Sequence, residues 1–205
     1  MKLINQLKFS FLVMVGITSI VACTNNDQQT PTSKPEAAAA KSENPFPFYK
    51  NIEIKPGYSF EVVSWGKGID TVGGYLVLMS DSVKNNYRSI AGERKGVITD
   101  AWNMDLDNDG NPELYIQYVV RKNVNDVIVY EFAGNGFDKI SFPGLSSNLK
   151  KSYKGNDKFF VKNGDLFRSV PVVSVDSGKT TTLIKTLKYN LRGNSFSAAE
   201  FKEGE

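Results

Sequence analysis

From Tyr58 onward the chain is a succession of short runs rich in β-branched and aromatic residues, separated by Gly and Asn. Tyr58-Ser59-Phe60-Glu61-Val62 alternates apolar with polar, the period of a half-buried strand. Gly74–Met79 is almost continuously apolar, as an interior strand would be. Further runs at Val97–Trp102, Leu114–Val120, Val127–Phe132, Phe137–Phe142, Lys158–Val161, Leu166–Val173 and Thr181–Leu191 read the same way. The turns agree. Lys162-Asn163-Gly164-Asp165 sets Asn-Gly between two apolar runs, the strongest short hairpin signal, because both central residues need positive φ. Gly134-Asn135-Gly136 and Arg192-Gly193-Asn194 punctuate in the same manner. No stretch after Phe48 keeps a helical period over helix length. The pattern predicts an all-β fold, an antiparallel β-sandwich or flattened barrel of about 8–10 short strands over residues 49–205.

The first forty-eight residues follow other rules. Lys2 and Lys8 precede an apolar stretch, Phe9 to Ile20, which is too short for a bilayer core needing about 20 apolar residues. It has the length of a secretory signal. Ile20-Val21-Ala22-Cys23 then resembles the lipobox of bacterial lipoproteins, which implies a signal peptide over residues 1–22 and Cys23 as an N-terminus carrying diacylglycerol and acyl chains. An ordinary secreted protein is the alternative. It leaves the sole cysteine of the chain without a use. Thr24, rather than Asp, after the lipidated position implies the outer membrane, facing the periplasm, by the sorting rule of such lipoproteins. Residues 23–48 are polar and rich in Pro, Ala, Ser and Asn, the composition of a flexible tether.

Charge and missing residue types narrow the chemistry. The chain has 25 basic and 22 acidic residues, and loss of Lys2 and Lys8 with the signal brings the two close to balance, which argues against a nucleic-acid partner. There is no histidine, and the single cysteine is taken by the anchor. Ser-His-Asp and Cys-His catalysis and His/Cys zinc sites are thereby excluded, and a disulfide within the domain is impossible.

One motif carries chemistry. In Asp105-Leu106-Asp107-Asn108-Asp109-Gly110-Asn111-Pro112-Glu113, oxygen-bearing side chains fall at positions one, three, five and nine, with a carbonyl at Asn111 in position seven. That spacing wraps a hard cation, and the loop resembles the calcium loops of integrin-type repeats. An EF-hand would need a bidentate Glu at position twelve, where Ile116 stands. The expected metal ligands are Asp105, Asp107, Asp109, Asn111 and Glu113, with Ca²⁺ as the ion. The competing reading is a plain turn, since Asp and Asn stabilise turns through side-chain to backbone hydrogen bonds.

With this loop in place, the domain resembles the periplasmic inhibitors of invertebrate-type lysozyme, the PliI family, over most of the stretch from Tyr58 to Leu191. The resemblance lies in Gly96–Trp102 leading into Asp105–Leu114, in Ser152–Val161, in Asn163–Pro171, and in a closing Leu187-Lys188-Tyr189-Asn190-Leu191. It implies a non-enzymatic protein that inserts a loop into the cleft of a lysozyme. The family's inhibitory segment is Ser-Gly-rich and ends in Tyr; the equivalent place here holds Arg121, Lys122, Asn123, Val124, Asn125 and Asp126. These six residues are the expected partner contact.

Three functions stay open. The first is an inhibitor of a lysozyme-type glycan hydrolase. The second is an envelope module that binds another protein or ligand, with calcium. The third is a hydrolase working through carboxylates such as Asp105 and Glu113. Trp65 and Trp102 read as packing residues, and Arg168 as the partner of a carboxylate such as Asp157.

Overall fold

The computed structural model describes residues 46–66, 73–120 and 123–202. Cys23 and the signal and tether positions up to residue 45 lie outside the described residues, as do Arg121 and Lys122. Twelve strands and one short helix follow in order: β1 (Phe48–Lys55), β2 (Tyr58–Trp65), β3 (Gly74–Asp81), β4 (Asn86–Glu93), β5 (Val97–Met104), β6 (Glu113–Val119), β7 (Asn125–Ala133), β8 (Gly136–Ile140), α1 (Ser147–Ser152), β9 (Lys158–Lys162), β10 (Asp165–Asp176), β11 (Lys179–Arg192) and β12 (Ser195–Phe201). They form three four-stranded antiparallel sheets, each a meander: β1-β2-β3-β4, β5-β6-β7-β8 and β12-β11-β10-β9.

The all-β antiparallel reading holds, with a third sheet and more strands than expected. Two apolar cores explain the layering. Phe60, Val62, Tyr75, Val77 and Met79 from the first sheet pack against Leu114, Ile116, Ile128, Tyr130 and Phe132 of the second. Tyr115, Val127, Val129 and Ile140 leave the other face of that second sheet and pack against Leu166, Val170, Leu187 and Tyr189 of the third. The β5–β8 sheet is therefore the middle layer. Its strands β6 and β7 are buried along nearly their whole length, which is why they read as continuous apolar runs rather than alternating ones.

β1, β4 and β12 were not predicted. In β4 and β12 no residue is fully buried, and in β1 only Ile52 is, so their hydrophobic signal is thin. The predicted turns are observed. Asn163 and Gly164 have φ of 54° and 83°, and Gly193 and Asn194 have 50° and 60°, the positive values that these tight hairpins demand. Pro171 is tolerated inside β10 because the β9 ladder stops at the Ser169–Lys158 pair, and the isolated Tyr153–Val172 bridge that follows on that side does not use residue 171. Between the first two layers, the Tyr75 and Tyr130 hydroxyls share a buried 2.6 Å hydrogen bond. Gly92 makes room for it, since a Cβ there would sit 2.5 Å from the Tyr75 oxygen. Among the described residues no helix is long and apolar enough to cross a membrane.

Candidate functional site

The acidic motif forms the turn between β5 and β6, and the backbone folds it by its own hydrogen bonds. Asp105 Oδ1 and Oδ2 accept the Asp109 and Gly110 amides, both at 3.0 Å. Asp109 Oδ1 accepts the Asn111 amide at 2.8 Å, and Asp109 Oδ2 accepts Asn111 Nδ2 at 2.9 Å. Asn108 and Gly110 take left-handed φ values of 59° and 88°, which reverse the chain sharply enough for successive Asp side chains to converge. Oxygen atoms of Asp105, Asp107, Asp109 and Glu113 all lie within 4.8 Å of one another. Of the five expected ligands, Asn111 stands apart in using its side chain to brace Asp109, which leaves its carbonyl as the oxygen it offers.

Glu113 is the unusual member. It opens β6, is fully buried, and belongs to the face that packs toward the third sheet, beside Tyr115. Its Oε2 accepts the Leu106 amide at 2.7 Å, with the Tyr115 hydroxyl at 3.5 Å. Its Oε1 is buried and has no hydrogen-bond partner, and the same is true of Asp107 Oδ1. Burial drives the Glu113 carboxyl up to about 8; Asp107, Asp105 and Glu131 push the same way, and only the Leu106 amide opposes them. Burial removes Glu113 from solvent, whereas Asp105 at the start of the same turn is exposed.

Glu131 was missed by the sequence reading. It sits on β7 directly across from Glu113 in the ladder, so the two side chains share a face, and it is 6 % exposed. Burial, then the charges of Asp109, Asp107 and Asp138, raise it too, against a hydrogen bond with the Asn194 side chain. The only sequence signal was an acidic residue inside the apolar run Val127–Phe132.

No family model matches the chain, and no curated protein is significantly similar to it.

The second candidate region is the β6–β7 hairpin tip. Val120 N donates to Val124 O at 2.8 Å and closes the turn, and Asn123 adopts a φ of 56°. A buried polar network holds the base of this tip. Arg168 Nε donates to Asp157 Oδ2 at 2.7 Å, so Arg168 and Asp157 form the pair expected from sequence, with side chains 4 % and 0 % exposed. Arg168 Nη2 reaches Asn125 O at 2.7 Å, and its guanidinium lies 4.8 Å from the Phe159 ring centroid. Asp157 Oδ1 accepts the Asn125 amide and the Tyr153 hydroxyl, and Asn125 Nδ2 donates to Asp157 O. Asn156 N donates to Asn123 O, and Asn123 Nδ2 donates to Asn156 Oδ1. Asp126 Oδ2 accepts the Tyr118 hydroxyl at 3.1 Å. Of the six residues expected at a partner contact, Asn123, Asn125 and Asp126 therefore spend side-chain polar groups on holding the tip. Val124 is half-buried between them.

The tryptophans differ. Trp102 stacks on Tyr115 at 5.4 Å and 4°, packed against the second core. Trp65 ends β2, 43 % exposed.

Proposed function

We propose that the chain is a non-catalytic binding module, lipid-anchored through Cys23 in the cell envelope, whose β6–β7 hairpin tip occupies the cleft of a lysozyme-type glycan hydrolase. The observation that supports this best is the brace beneath the tip. Backbone groups of Asn123 and Asn125 are fixed by Asn156, Asp157 and Arg168 before any partner arrives. Backbone positions already held in one conformation, as Asn123 and Asn125 are, lose less entropy on docking, so more of their contact energy appears as affinity. In this reading Asn123, Val124, Asn125 and Asp126 are the foundation, and Arg121 and Lys122 supply positive charge toward the partner's catalytic carboxylates. The resemblance to the inhibitors of invertebrate-type lysozyme supplies the class of partner.

A second reading, a calcium-dependent module for a different envelope ligand, draws on the acidic turn and its unpartnered carboxylate oxygens. Residual lysozyme activity against titrated protein separates the two. The inhibitor reading expects activity of an invertebrate-type enzyme to fall to a plateau near one equivalent. Full activity at micromolar protein, across invertebrate-type, c-type and g-type enzymes, rules it out and leaves the other module.

A further inference from the structure

We propose that Asp105, Asp107, Asp109 and Glu113 hold one calcium ion, and that Glu131 supports it from the second coordination sphere, so that the ion neutralises a buried pair of carboxylates at the inner face of the middle sheet. The inference is independent of which partner the hairpin tip binds.

Exposed acidic turns are common without a metal, and the hydrogen bonds within this one explain its shape but demand no ion. What demands one is Glu113. Its side chain is fully buried, its Oε2 is engaged by the Leu106 amide, and its Oε1 faces no donor at all. Asp107 Oδ1, six positions earlier in the same turn, is also buried without a partner. Buried carboxylate oxygens are almost always satisfied by hydrogen bonds or by a cation. Neither group takes part in the ion pairs formed among the described residues, and the side chains gathered around Glu113 within 4.8 Å, Asp105, Asp107 and Asp109, are all acidic. Charge on both of two side chains directly opposite on neighbouring strands destabilises a sheet, and a cation beside Glu113 and Glu131 offsets that cost.

The size fits calcium. Two ligands on opposite sides of Ca²⁺ lie at most roughly 4.6–5.2 Å apart, twice its usual oxygen distance. The four carboxylate oxygens fall inside that span, within 4.8 Å of one another. The donor set is all oxygen and wholly without nitrogen or sulfur, which suits a hard cation, and the Asn111 carbonyl and water complete a shell of six to eight ligands. Magnesium holds its waters and requires a tighter octahedron than a loop of alternating carboxylates provides. Glu131 is not within the ligand group but sits across from Glu113 on the same face, where its negative charge favours a cation from the outer sphere.

Two aromatic rings make the site observable. Tyr115 reaches Glu113 through its hydroxyl, and Trp102 stacks on Tyr115. Terbium, which replaces calcium at oxygen sites, will be sensitised by them. The test is a titration of the full-length chain, in detergent and stripped by chelator, with terbium and then with competing calcium or magnesium. Thermal unfolding in calcium, magnesium and chelator is measured on the same sample. Expected are saturable terbium emission displaced by calcium well before magnesium, and a Tm several degrees higher in millimolar calcium than in chelator. Glu113→Gln and Asp107→Asn weaken calcium binding by more than about a hundredfold, beyond the roughly 10–100-fold loss typical of an outer partner. Glu131→Gln weakens it less than either, while leaving emission at saturation unchanged. Because these variants remove charge without removing volume, each can be checked for its folded far-UV signal before titration. Absence of saturable terbium emission together with a calcium-indifferent Tm overturns the site. Calcium affinity unaltered in both Glu113→Gln and Asp107→Asn overturns the assignment of the ligands. Unaltered affinity in Glu131→Gln removes the role given to that residue.

Discussion

Asp157→Asn is the sharpest single perturbation of the brace under the hairpin tip. The Asp157 side chain is 0 % exposed, and its carboxylate meets three donors: Arg168 Nε, the Asn125 amide and the Tyr153 hydroxyl. Asparagine preserves the volume and one acceptor oxygen but leaves the Arg168 guanidinium buried without a counter-charge. Removing one member of a buried ion pair costs about 3–5 kcal/mol, and the retained acceptor places this case at the lower end. For a domain of this size that corresponds to a fall in Tm of roughly 6–20 °C. The assay is thermal and urea unfolding of wild type and Asp157→Asn, followed by Arg168→Met in both backgrounds. The destabilisation belongs to the stranded cation, so the double variant is expected to be more stable than Asp157→Asn alone. An Asp157→Asn variant within about 0.5 kcal/mol of wild type, the scatter of ordinary surface substitutions, refutes the reasoning. So does strict additivity of the two changes.

Three further outcomes follow from the same description. Tyr75→Phe strands the buried Tyr130 hydroxyl, and is expected to lower stability by about 1–3 kcal/mol in urea unfolding, with Tyr75→Phe/Tyr130→Phe less destabilised than the single variant. In calcium, Glu113→Gln is expected to lower Tm below wild type because a ligand is lost, whereas in chelator the two stay close at pH 7, since burial lifts the Glu113 carboxyl to about 8 and already favours its neutral form; an equal loss of Tm in both buffers contradicts the ligand role. Cys23→Ala is expected to release the protein from the membrane fraction or to leave an unprocessed precursor, as followed by fractionation and intact mass; a mature form still co-sedimenting with outer membranes contradicts lipid anchoring.

Much of the architecture was legible because this chain's turns and interior strands carry strong local chemistry. Asn163-Gly164 and Gly193-Asn194 announce their hairpins, and nine of the strands show as β-branched or aromatic runs. β1, β4 and β12 were not read because they bury almost nothing: Asn86–Glu93 and Ser195–Phe201 contain no buried residue, and Phe48–Lys55 contains Ile52 alone. The third layer was harder. It was encoded in Leu114–Val119 and Val127–Phe132, whose unbroken hydrophobicity signals burial on both faces, but a run of that length does not say which elements cover it. The acidic turn was visible as a spacing, and Arg168 with Asp157 as a charge between apolar runs. Glu131 was not, since its meaning arises only from the register that sets it across from Glu113. The bracing of Asn123 and Asn125 likewise depends on contacts with Asn156 and Asp157 more than thirty positions away, as the separations of 32 and 33 residues record.

Docking of the β6–β7 hairpin through the braced positions Asn123 and Asn125 is tested by hydrogen exchange of the full-length protein with and without an invertebrate-type lysozyme in excess. Slowed exchange is expected between Val120 and Asn125, with the distal face of the β1–β4 sheet unchanged. Protection confined to another surface, or none at saturating enzyme, contradicts it.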